Sequence, residues 1–528
     1  MNAFRPLAAA ATCALALAVA ACGGANTTAA PGAAGTDGKG ADAFPATTIA
    51  FVDANADLNS SAWQNVLGVA KRFPGFPKVQ AEVQKAITSS DGGGSFAQDV
   101  QPWLGDEASF GLLSITLSGS GQPKPQYAVF LASKDDAKAT ATIAKDATKG
   151  ADYKGYATFT SKDDDHLQAA VGKGAVLIAD GETSLHAAID AREGNAADRL
   201  SGVDQYGEAL KALPDDNVVV GYVDGPKLAQ LASTGIAAAA QQSGGNVLPP
   251  AQVDQALSQL EAIRAIAFSA GADSGGFRVH AATLLDPAKA KNLMTQAAAP
   301  LALLDRAPAD ALVFAGVPGL GRLDQAVEGL KANPQVGQAV SSMEAATGLS
   351  LEQDVLPLLS GEAALYLAGG APASGALLLL PKDPNAAAAS LTKITGAVAR
   401  LGGDDAPTFK PLPSGDGQIA DVGQGHQVSW LHDGDLIALG VDTGGKPPAG
   451  GLGASDSFQQ VADAAKLPDA VTGLLYADVP GIVDLAQRTS GEPIPADALA
   501  NVRALGGLLA FATGDDNVAH ADLYLQVH

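Results

Sequence analysis

A serine–lysine pair and two glutamates have residue types and spacings that could support catalysis. Ser390 and Lys393 fit Ser-x-x-Lys, which on a helix places a base one turn from a nucleophile. Neither Ser-Asp-Asn nor Lys-Thr-Gly follows, so the motif is incomplete. Glu107 and Glu362 occupy matching positions in two similar stretches and could act as general acid and base. Satisfying backbone N–H groups where a strand begins is the simpler role, and we expect it for both.

Three further motifs resemble ligand sites, and the two with a defined signature lack an essential residue. The run 53–57, Asp-Ala-Asn-Ala-Asp, opens like a calcium loop, but Leu58 and Gln64 occupy the positions of the required glycine and glutamate. The acidic run 163–166 is typical of a solvated hairpin tip. The run 319–322, Gly-Leu-Gly-Arg, lacks the third glycine of a dinucleotide fingerprint. We therefore predict no metal site and no cofactor.

The histidines give no catalytic or metal-binding pattern either. None of the seven is paired with another at metal-ligand spacing, and no Gly-x-Ser-x-Gly elbow occurs. His280 and His520 lie on predicted closing strands, where we expect them to face outward. The sequence therefore assigns no catalytic residue, although it leaves open whether the protein is an enzyme.

A repeated stretch indicates how the elements around these residues are organised. Residues 98–108 read Gln-Asp-Val-Gln-Pro-Trp-Leu-Gly-Asp-Glu-Ala, and residues 353–363 read Gln-Asp-Val-Leu-Pro-Leu-Leu-Ser-Gly-Glu-Ala. Each copy leads into apolar segments that predict a central hairpin. A second pair, Tyr-x-Asp-x-Pro at 222–226 and 476–480, predicts a strand, a capping aspartate and a helix. The pattern predicts that one plan is used twice.

The order of these elements predicts the fold class. We expect an α+β protein of two tandem homologous repeats, each a mainly antiparallel sheet with helices packed on one face. Residues 45–287 form repeat 1, residues 288–307 a connecting helix and residues 308–528 repeat 2. The uncharged run 363–381 is predicted to be a buried hairpin rather than a membrane span, because its counterpart in repeat 1 has a polar loop with Lys124.

The N-terminus is typical of an exported protein. Residues 1–21 read as a signal peptide, in which Arg5 precedes a short apolar run. The sequence Val-Ala-Ala before Cys22 resembles the lipobox of bacterial lipoproteins. This resemblance implies cleavage before Cys22, its acylation (palmitate) and a lipid anchor on the extracytoplasmic side of the cell membrane, periplasmic or outer. An ordinary signal peptide and a transmembrane anchor are the alternatives. Residues 22–44, rich in glycine and alanine, are predicted to be a flexible linker.

Charge and cysteine content limit the partners and the chemistry. The chain has 33 basic and 56 acidic residues, a formal net charge of −23 and a pI near 4.5. Such a chain repels phosphate backbones, so we expect no nucleic-acid partner. The two cysteines are Cys13, within the signal peptide, and Cys22. The mature protein would then lack an intramolecular disulfide and a free thiol nucleophile.

These features together resemble the DUF3352 family of uncharacterised bacterial envelope proteins. The resemblance rests on Trp-Leu-Gly-x-Glu-Ala at 103–108, the apolar hairpins, Leu-Pro at 213–214 and 467–468, and the Tyr-x-Asp-x-Pro pair. It covers nearly the whole mature chain, although Leu358 replaces the tryptophan in the second half. The resemblance implies an envelope location and transfers no activity and no catalytic residue.

The leading functional hypothesis is a membrane-anchored, non-catalytic binding or scaffold protein for an apolar ligand or an envelope partner. Its motivation is a duplicated apolar hairpin on an acidic body that has no disulfide. An envelope hydrolase and the solute-binding lipoprotein of a transporter are the alternatives. The first hypothesis predicts a groove beside the two hairpins, and its candidate lining residues are Trp103, Glu107, Phe110, Tyr127, Glu362 and Leu365.

Overall fold

The structure is a computed structural model of the 528-residue chain. Cys22, the predicted signal peptide and most of the predicted linker lie outside the described residues. The chain folds into two compact units: unit 1 is Met1–Leu293 with Asp516–Asp522, and unit 2 is Met294–Asp515 with Leu523–His528. The structure describes residues 40–88, 96–117, 123–164, 166–215, 217–242, 250–290, 297–319, 327, 331, 334–370, 372–401, 406–413, 416–490, 494–514 and 517–528.

Unit 1 contains an antiparallel sheet with the strand order β4-β5-β6-β7-β3-β2-β1-β8-β9-β10. The repeated stretch at 98–108 begins in a π-helical turn, Phe96–Val100, and enters β2. The strands are β1 Ala50–Asn55, β2 Leu104–Leu117, β3 Pro123–Ser133, β4 Ala147–Lys149, β5 Ala157–Ser161, β6 Gln168–Gly172, β7 Ala175–Ala179, β8 Val219–Asp224, β9 Ile263–Ala272 and β10 Gly276–Leu285.

Helices lie on both faces of this sheet, whereas the sequence predicts one covered face. The reason is visible in β7, whose five residues are all apolar and all buried. Leu177 packs with Leu185, and on the opposite face Val176 packs with Ile143. The helices are α1 Ser61–Ala70, α2 Phe76–Thr88, α3 Asp136–Asp146, α4 Glu182–Glu193, α5 Asp204–Lys211, α6 Gly225–Gln242, α7 Pro250–Glu261 and α8 Pro287–Ala290.

Unit 2 contains an antiparallel sheet with the order β14-β15-β16-β17-β13-β12-β11-β18-β19-β20, of which the part of β20 up to Asp522 belongs to unit 1. The second copy of the stretch also begins in a π-helical turn, Leu351–Val355. The strands are β11 Ala311–Val317, β12 Glu362–Ala368, β13 Ser374–Leu380, β14 Lys410–Pro411, β15 Asp416–Gly423, β16 His426–Asp433, β17 Leu436–Val441, β18 Gly473–Asp478, β19 Leu505–Gly514 and β20 Val518–Val527.

The helices of unit 2 also pack on both faces of its sheet. Phe458 and Val461 pack against Tyr476 on one face, and Leu391 packs against Leu379 on the other. The α+β class and the antiparallel sheets are thus confirmed, and the single covered face is wrong. The helices are α9 Ala302–Arg306, α10 Pro334–Thr347, α11 Pro384–Leu401, α12 Asp456–Ala465, α13 Val479–Thr489 and α14 Ala496–Val502.

The predicted hairpins and helix caps are present. Strands β2 and β3 pair antiparallel, as do β12 and β13, so the uncharged run at 363–381 is a hairpin. The Asp224 carboxylate accepts from Lys227 N–H at 3.0 Å, and the Asp478 carboxylate accepts from Gly481 N–H at 3.2 Å. Each aspartate therefore caps the helix after its strand. Among the described residues, no helix is long and apolar enough to cross a membrane.

The connecting segment differs from the single helix predicted for residues 288–307. Two short helices, α8 and α9, lie in this region, and residues 297–301 between them are not helical. Ala299 instead exchanges two backbone hydrogen bonds of 3.0 Å with Val471. Pro300 explains the break, because its ring blocks a continuous helix and it has no N–H to donate.

Two further positions are more buried than the sequence indicates. Residues 40–44, the end of the predicted linker, form a 3-10 turn, and Phe44 is fully buried against Phe51 with ring centroids 5.1 Å apart. His280, expected to face outward, is mostly covered and its Nδ1 lies 2.9 Å from the Asp522 carboxylate. The alternation of polar and apolar residues along β10 predicts an exposed His280. In the structure Asp522, which is distant in sequence but belongs to unit 1, is the partner of the His280 ring.

Candidate functional site

The predicted groove residues of unit 1 lie on different faces of its sheet. Side chains alternate along β2, so Glu107 faces the same side as Phe51 and Tyr206, while Phe110 faces the side of Trp103 and Ile143. A single groove cannot therefore be lined by both Glu107 and Phe110. In the first copy of the hairpin, the candidate residues are therefore divided between the two cores on opposite faces of the sheet.

Trp103 and the Phe110–Tyr127 pair contribute to packing. Trp103 is fully buried, and its indole N–H donates to the Asp99 carbonyl at 2.5 Å. The rings of Phe110 and Tyr127 stack with centroids 5.9 Å apart. Burial, together with the nearby Asp180 carboxylate, raises the pKa of Tyr127. Trp103 packs in the same core as Ile143 of α3, whereas Phe110 and Tyr127 are half-buried.

The aspartate of each repeated stretch forms an ion pair with a helix lysine. Asp99 lies 2.5 Å from the Lys145 ammonium in unit 1, and Asp354 lies 2.7 Å from the Lys393 ammonium in unit 2. The Lys393 ammonium and the Ser350 N–H lower the pKa of Asp354. Lys393 therefore bonds Asp354, and Ser390 is buried within α11. The incomplete Ser-x-x-Lys motif does not assemble into a nucleophile and base.

Glu107 belongs to a buried carboxyl pair. Its Oε1 accepts from Gly40 N–H at 2.6 Å, and its carboxyl hydrogen bonds with Asp53 on the neighbouring strand β1. Ser109 donates to Asp53 Oδ1 at 2.6 Å. Burial and the Asp53 carboxylate raise the pKa of Glu107 to about 8, against the lowering effect of Gly40 N–H. Glu107 can therefore hold a proton near neutral pH.

Glu362 has the same kind of backbone partner in unit 2. Its carboxylate accepts from Leu303 N–H at 2.6 Å and from Ala302 N–H at 3.0 Å. Burial raises the pKa of Glu362, and the two backbone donors act in the opposite direction. Both glutamates thus satisfy backbone N–H groups, but the donors lie in the segment before the first strand of each unit rather than at the start of β2 or β12.

Leu365 belongs to an exposed apolar surface of unit 2, which we call the leucine face. Register places Leu365 beside Ala315 on β11, and Ala315 beside Leu475 on β18. Leu365 is 54% exposed, Val441 49% and Leu475 40%. Two adjacent rows across six strands form the face, and they consist of Leu439, Leu377, Leu365, Ala315, Leu475 and Ala510, and of Val441, Gly375, Leu367, Val313, Ala477 and Leu508.

Helices cover the leucine face only in part. Helix α11 packs over its neighbouring row, where Leu379 and Ile437 are buried. Helices α13 and α14 follow β18 in the chain, and neither has a buried residue. Sequence reasoning identified Leu365 and missed the remaining members. The alternation of apolar residues in β12 and β18 was visible, but the loose packing of the later helices has no sequence signal.

The other motifs form turns in the structure. Asn55 and Asp57 accept backbone N–H groups ahead of α1, so the calcium-like run is a helix-entry turn. Asp164 accepts from His166 N–H at 3.0 Å in the acidic hairpin tip. Most of the glycine run 319–322 lies outside the described residues. Across the part of the chain that the structure describes, no group of three acidic, histidine or cysteine side chains has metal-binding geometry.

Comparison with known proteins gives a family and two distant structural similarities. A family model described as "Protein of unknown function (DUF3352)" matches residues 7–407. No curated protein matches the chain. Crystal form III of TP0453 is similar at a TM-score of 0.24 and 6% identity, over 47% of this chain and 79% of that chain. Crystal form IV of TP0453 has a TM-score of 0.24 and 7% identity, over 49% and 84%. Similarity at this level supports no functional conclusion.

Proposed function

The chain belongs to the DUF3352 family of proteins of unknown function, and from that premise we propose that it is a lipid-anchored, non-catalytic protein that binds an apolar ligand outside the cytoplasm. The observation that carries the proposal is the leucine face of unit 2. Twelve neighbouring positions on six strands are apolar or glycine, and several of their side chains are open to solvent. Exposed apolar patches of this kind commonly mark binding sites.

The chemistry of the leucine face favours an aliphatic chain as the ligand. Its exposed side chains are leucines and a valine. The two rows contain no charged side chain and no side chain that can donate a hydrogen bond. A ligand with polar groups would leave those groups unpaired there, at a cost of about 1–3 kcal/mol each. An acyl chain has no such groups, and burying one leucine side chain contributes about 1.5–3 kcal/mol. We therefore infer that the ligand is a lipid acyl chain.

We also propose that the two units are homologous repeats of one plan, and two sets of contacts support this. The strand order of unit 1 corresponds position by position to that of unit 2. The aspartate of each stretch pairs with a lysine of the following helix, and the glutamate accepts an N–H from the segment before the first strand. Residue types and contacts therefore repeat together, which the alternation of apolar residues alone would not require.

Lipid bound during expression tests the ligand proposal. We expect mass spectrometry of the Cys22→Ala protein, purified without detergent, to detect a phospholipid or fatty acid at close to one per chain. The double variant Leu365→Ser and Leu475→Ser should retain less than one fifth of that lipid. The matched control changes Leu58 and Val79 to serine, since both are exposed apolar residues of unit 1. Equal lipid in all three proteins would refute the leucine face as the site.

The anchor is proposed on the lipobox-like sequence before Cys22. Two acyl chains give a stable membrane attachment, whereas one chain is marginal. Cys22→Ala should abolish incorporation of radiolabelled palmitate and move the protein from the membrane to the soluble fraction. Cys13→Ala is the matched control and should leave both properties unchanged. If the Cys22→Ala protein still incorporated palmitate, Cys22 would not be the residue that carries the lipid anchor.

A further inference from the structure

Two histidines of unit 1 bring their ring nitrogens close together. His280 lies on β10, and His520 lies on the part of β20 that belongs to unit 1. His280 Nε2 and His520 Nδ1 are 3.3 Å apart, although 240 positions separate the two residues in the chain. The ring planes are tilted by 40° and the centroids are 5.4 Å apart, so the rings are not stacked face to face. The fold therefore creates a histidine pair that no local spacing in the sequence could indicate.

A backbone carbonyl approaches the same ring nitrogen of His280. The Ala212 carbonyl oxygen lies 3.3 Å from His280 Nε2. Ala212 is the C-cap residue of α5, Asp204–Lys211. Carbonyl groups at a helix C-terminus have no partner within the helix and carry the negative end of the helix dipole, which favours a cation. His280 Nε2 thus has two neighbours, the carbonyl oxygen and His520 Nδ1, that can both donate an electron pair.

The other ring nitrogen of His280 has a carboxylate partner. His280 Nδ1 lies 2.9 Å from Asp522 Oδ1, and the side chains of His280 and Asp522 are only 12% and 14% exposed. In a neutral His280 with its proton on Nδ1, this proton is donated to Asp522 and Nε2 presents a lone pair. Histidines that bind metals commonly donate their second N–H to a carboxylate, which fixes the ring and increases its basicity. Asp522 gives His280 this support.

The separations between the three candidate atoms match a tetrahedral metal site. Zinc binds histidine nitrogen at about 2.0–2.1 Å, and tetrahedral geometry then places neighbouring ligand atoms about 3.3–3.4 Å apart. The distances from His280 Nε2 to His520 Nδ1 and to the Ala212 oxygen are both 3.3 Å. The set contains two imidazoles and one carbonyl, so it differs from the sites of three acidic, histidine or cysteine side chains that the described residues lack.

We propose that His280 Nε2, His520 Nδ1 and the Ala212 carbonyl oxygen bind one divalent transition-metal ion, and that this ion is Zn²⁺. Imidazole nitrogen suits zinc and copper, and the tetrahedral separations favour zinc over Cu²⁺, which prefers a square-planar arrangement. Asp522 is a positioning residue that orients His280. The ion would connect β10, β20 and the end of α5 within unit 1. This site is independent of the leucine face, which belongs to unit 2.

The charges beside His280 are compatible with a divalent cation. Arg278, two positions before His280 on β10, lies 3.9 Å from Asp522 Oδ1 and 3.7 Å from Asp273 Oδ2. These three groups are two carboxylates and one guanidinium, so together they carry one negative charge. The imidazoles that would bind the ion are neutral when they do so. Binding of Zn²⁺ therefore adds positive charge where the neighbouring side chains are negative on balance.

Zinc titration of the full chain tests the site. The protein carries Cys13→Ala and Cys22→Ala, so that no thiol can bind the metal. We expect calorimetry with zinc chloride at neutral pH to detect one saturable equivalent per chain. His280→Ala and His520→Ala should each abolish this equivalent. Asp522→Asn should keep it and weaken the affinity about 10–100-fold, because only the orientation of His280 is affected.

A control variant and a second metal separate this site from other causes of binding. His426→Ala is the matched control, because His426 also pairs with an aspartate but is exposed, and this variant should bind Zn²⁺ like the unchanged protein. Co²⁺ added to the unchanged protein should give the intense visible absorption of a tetrahedral site, a result that needs no variant to fold. No saturable equivalent in the unchanged protein, equal binding after His280→Ala and His520→Ala, or a six-coordinate Co²⁺ spectrum would overturn the proposal.

Discussion

At the scale of single residues, the acids shared by the two repeated stretches connect segments that are distant in sequence. Asp99 binds Lys145 across 46 residues, and Asp354 binds Lys393 across 39. Glu107 reaches 67 residues back to Gly40. Each contact joins the start of a strand to a helix or to the preceding segment. The stretch that looks most like a catalytic motif in the sequence therefore has a structural role in these contacts.

The ion pair of Asp354 gives the first prediction. Asp354→Asn removes the negative charge to which the Lys393 ammonium and the Ser350 N–H donate hydrogen bonds. We therefore expect the free energy of unfolding in urea to fall by about 1–2 kcal/mol at pH 7. The lysine lowers the pKa of Asp354, so this stabilisation is lost in the unchanged protein as pH falls through that lowered pKa. Glu352→Gln, on the same turn but exposed, is the control. Equal losses in both variants would contradict the structural role.

The raised pKa of Glu107 predicts the opposite pH dependence. Its pKa is about 8 in the folded protein against an ordinary value of 4.5, so the folded state holds a proton that the unfolded state has released. The free energy of unfolding should decrease as pH rises from 4.5 to 8, by at most about 1.4 kcal/mol per pH unit. Chemical denaturation at a series of pH values measures this slope. Glu107→Gln should remove it, and an unchanged slope in that variant would exclude Glu107 as its source.

At the scale of elements, local sequence patterns predict the hairpins and the helix caps, because these features depend on interactions between residues close in sequence. The central hairpins, the closing hairpins and the two aspartate caps follow from alternation and from the Tyr-x-Asp-x-Pro spacing. The second covered face of the unit 1 sheet is reflected in the uninterrupted apolar run of β7, all of whose residues are buried. The sequence indicated where strands and helices begin more reliably than which of their faces are covered.

Contacts between distant segments account for what the sequence analysis missed. The composition of residues 40–44 resembles that of a linker, and only Glu107 and the core around Phe51 reveal why they are folded. Asp53 was interpreted as part of a calcium-like turn, although its inward position on β1 pairs it with Glu107. Pairing of this kind depends on strand register between residues 54 positions apart, which no local pattern encodes.

The cap of α13 provides a prediction at this scale. Asp478→Ala leaves the first N–H groups of the helix without the carboxylate, so we expect the free energy of unfolding to fall by about 0.5–2 kcal/mol in urea. Asp484→Ala, an exposed change in the middle of the same helix, should cost less than about 0.5 kcal/mol. A larger effect of the control than of Asp478→Ala would refute the cap assignment.

At the scale of the whole molecule, two units with corresponding strand orders differ in what covers one sheet face. In unit 1, Phe268 fills the space above Gly221, where a Cβ would lie 1.8 Å from the ring, and Phe110 stacks on Tyr127. In unit 2, the matching rows hold Leu365 and Leu475, both exposed. Aromatic side chains thus cover this sheet face in unit 1, whereas the corresponding face of unit 2 remains an exposed apolar surface. We therefore expect the proposed lipid to bind unit 2.

Photocrosslinking with a fatty acid that carries a diazirine in its acyl chain tests this central claim most directly. Illumination of the detergent-free Cys22→Ala protein, followed by peptide mass spectrometry, locates the contact without prior identification of the natural lipid. We expect adducts concentrated on β12 and β18, on peptides that contain Leu365, Leu367 and Leu475, and competed by unlabelled oleate. Adducts spread over both units without competition, or concentrated on Phe110 and Tyr127, would contradict the leucine face as the binding site.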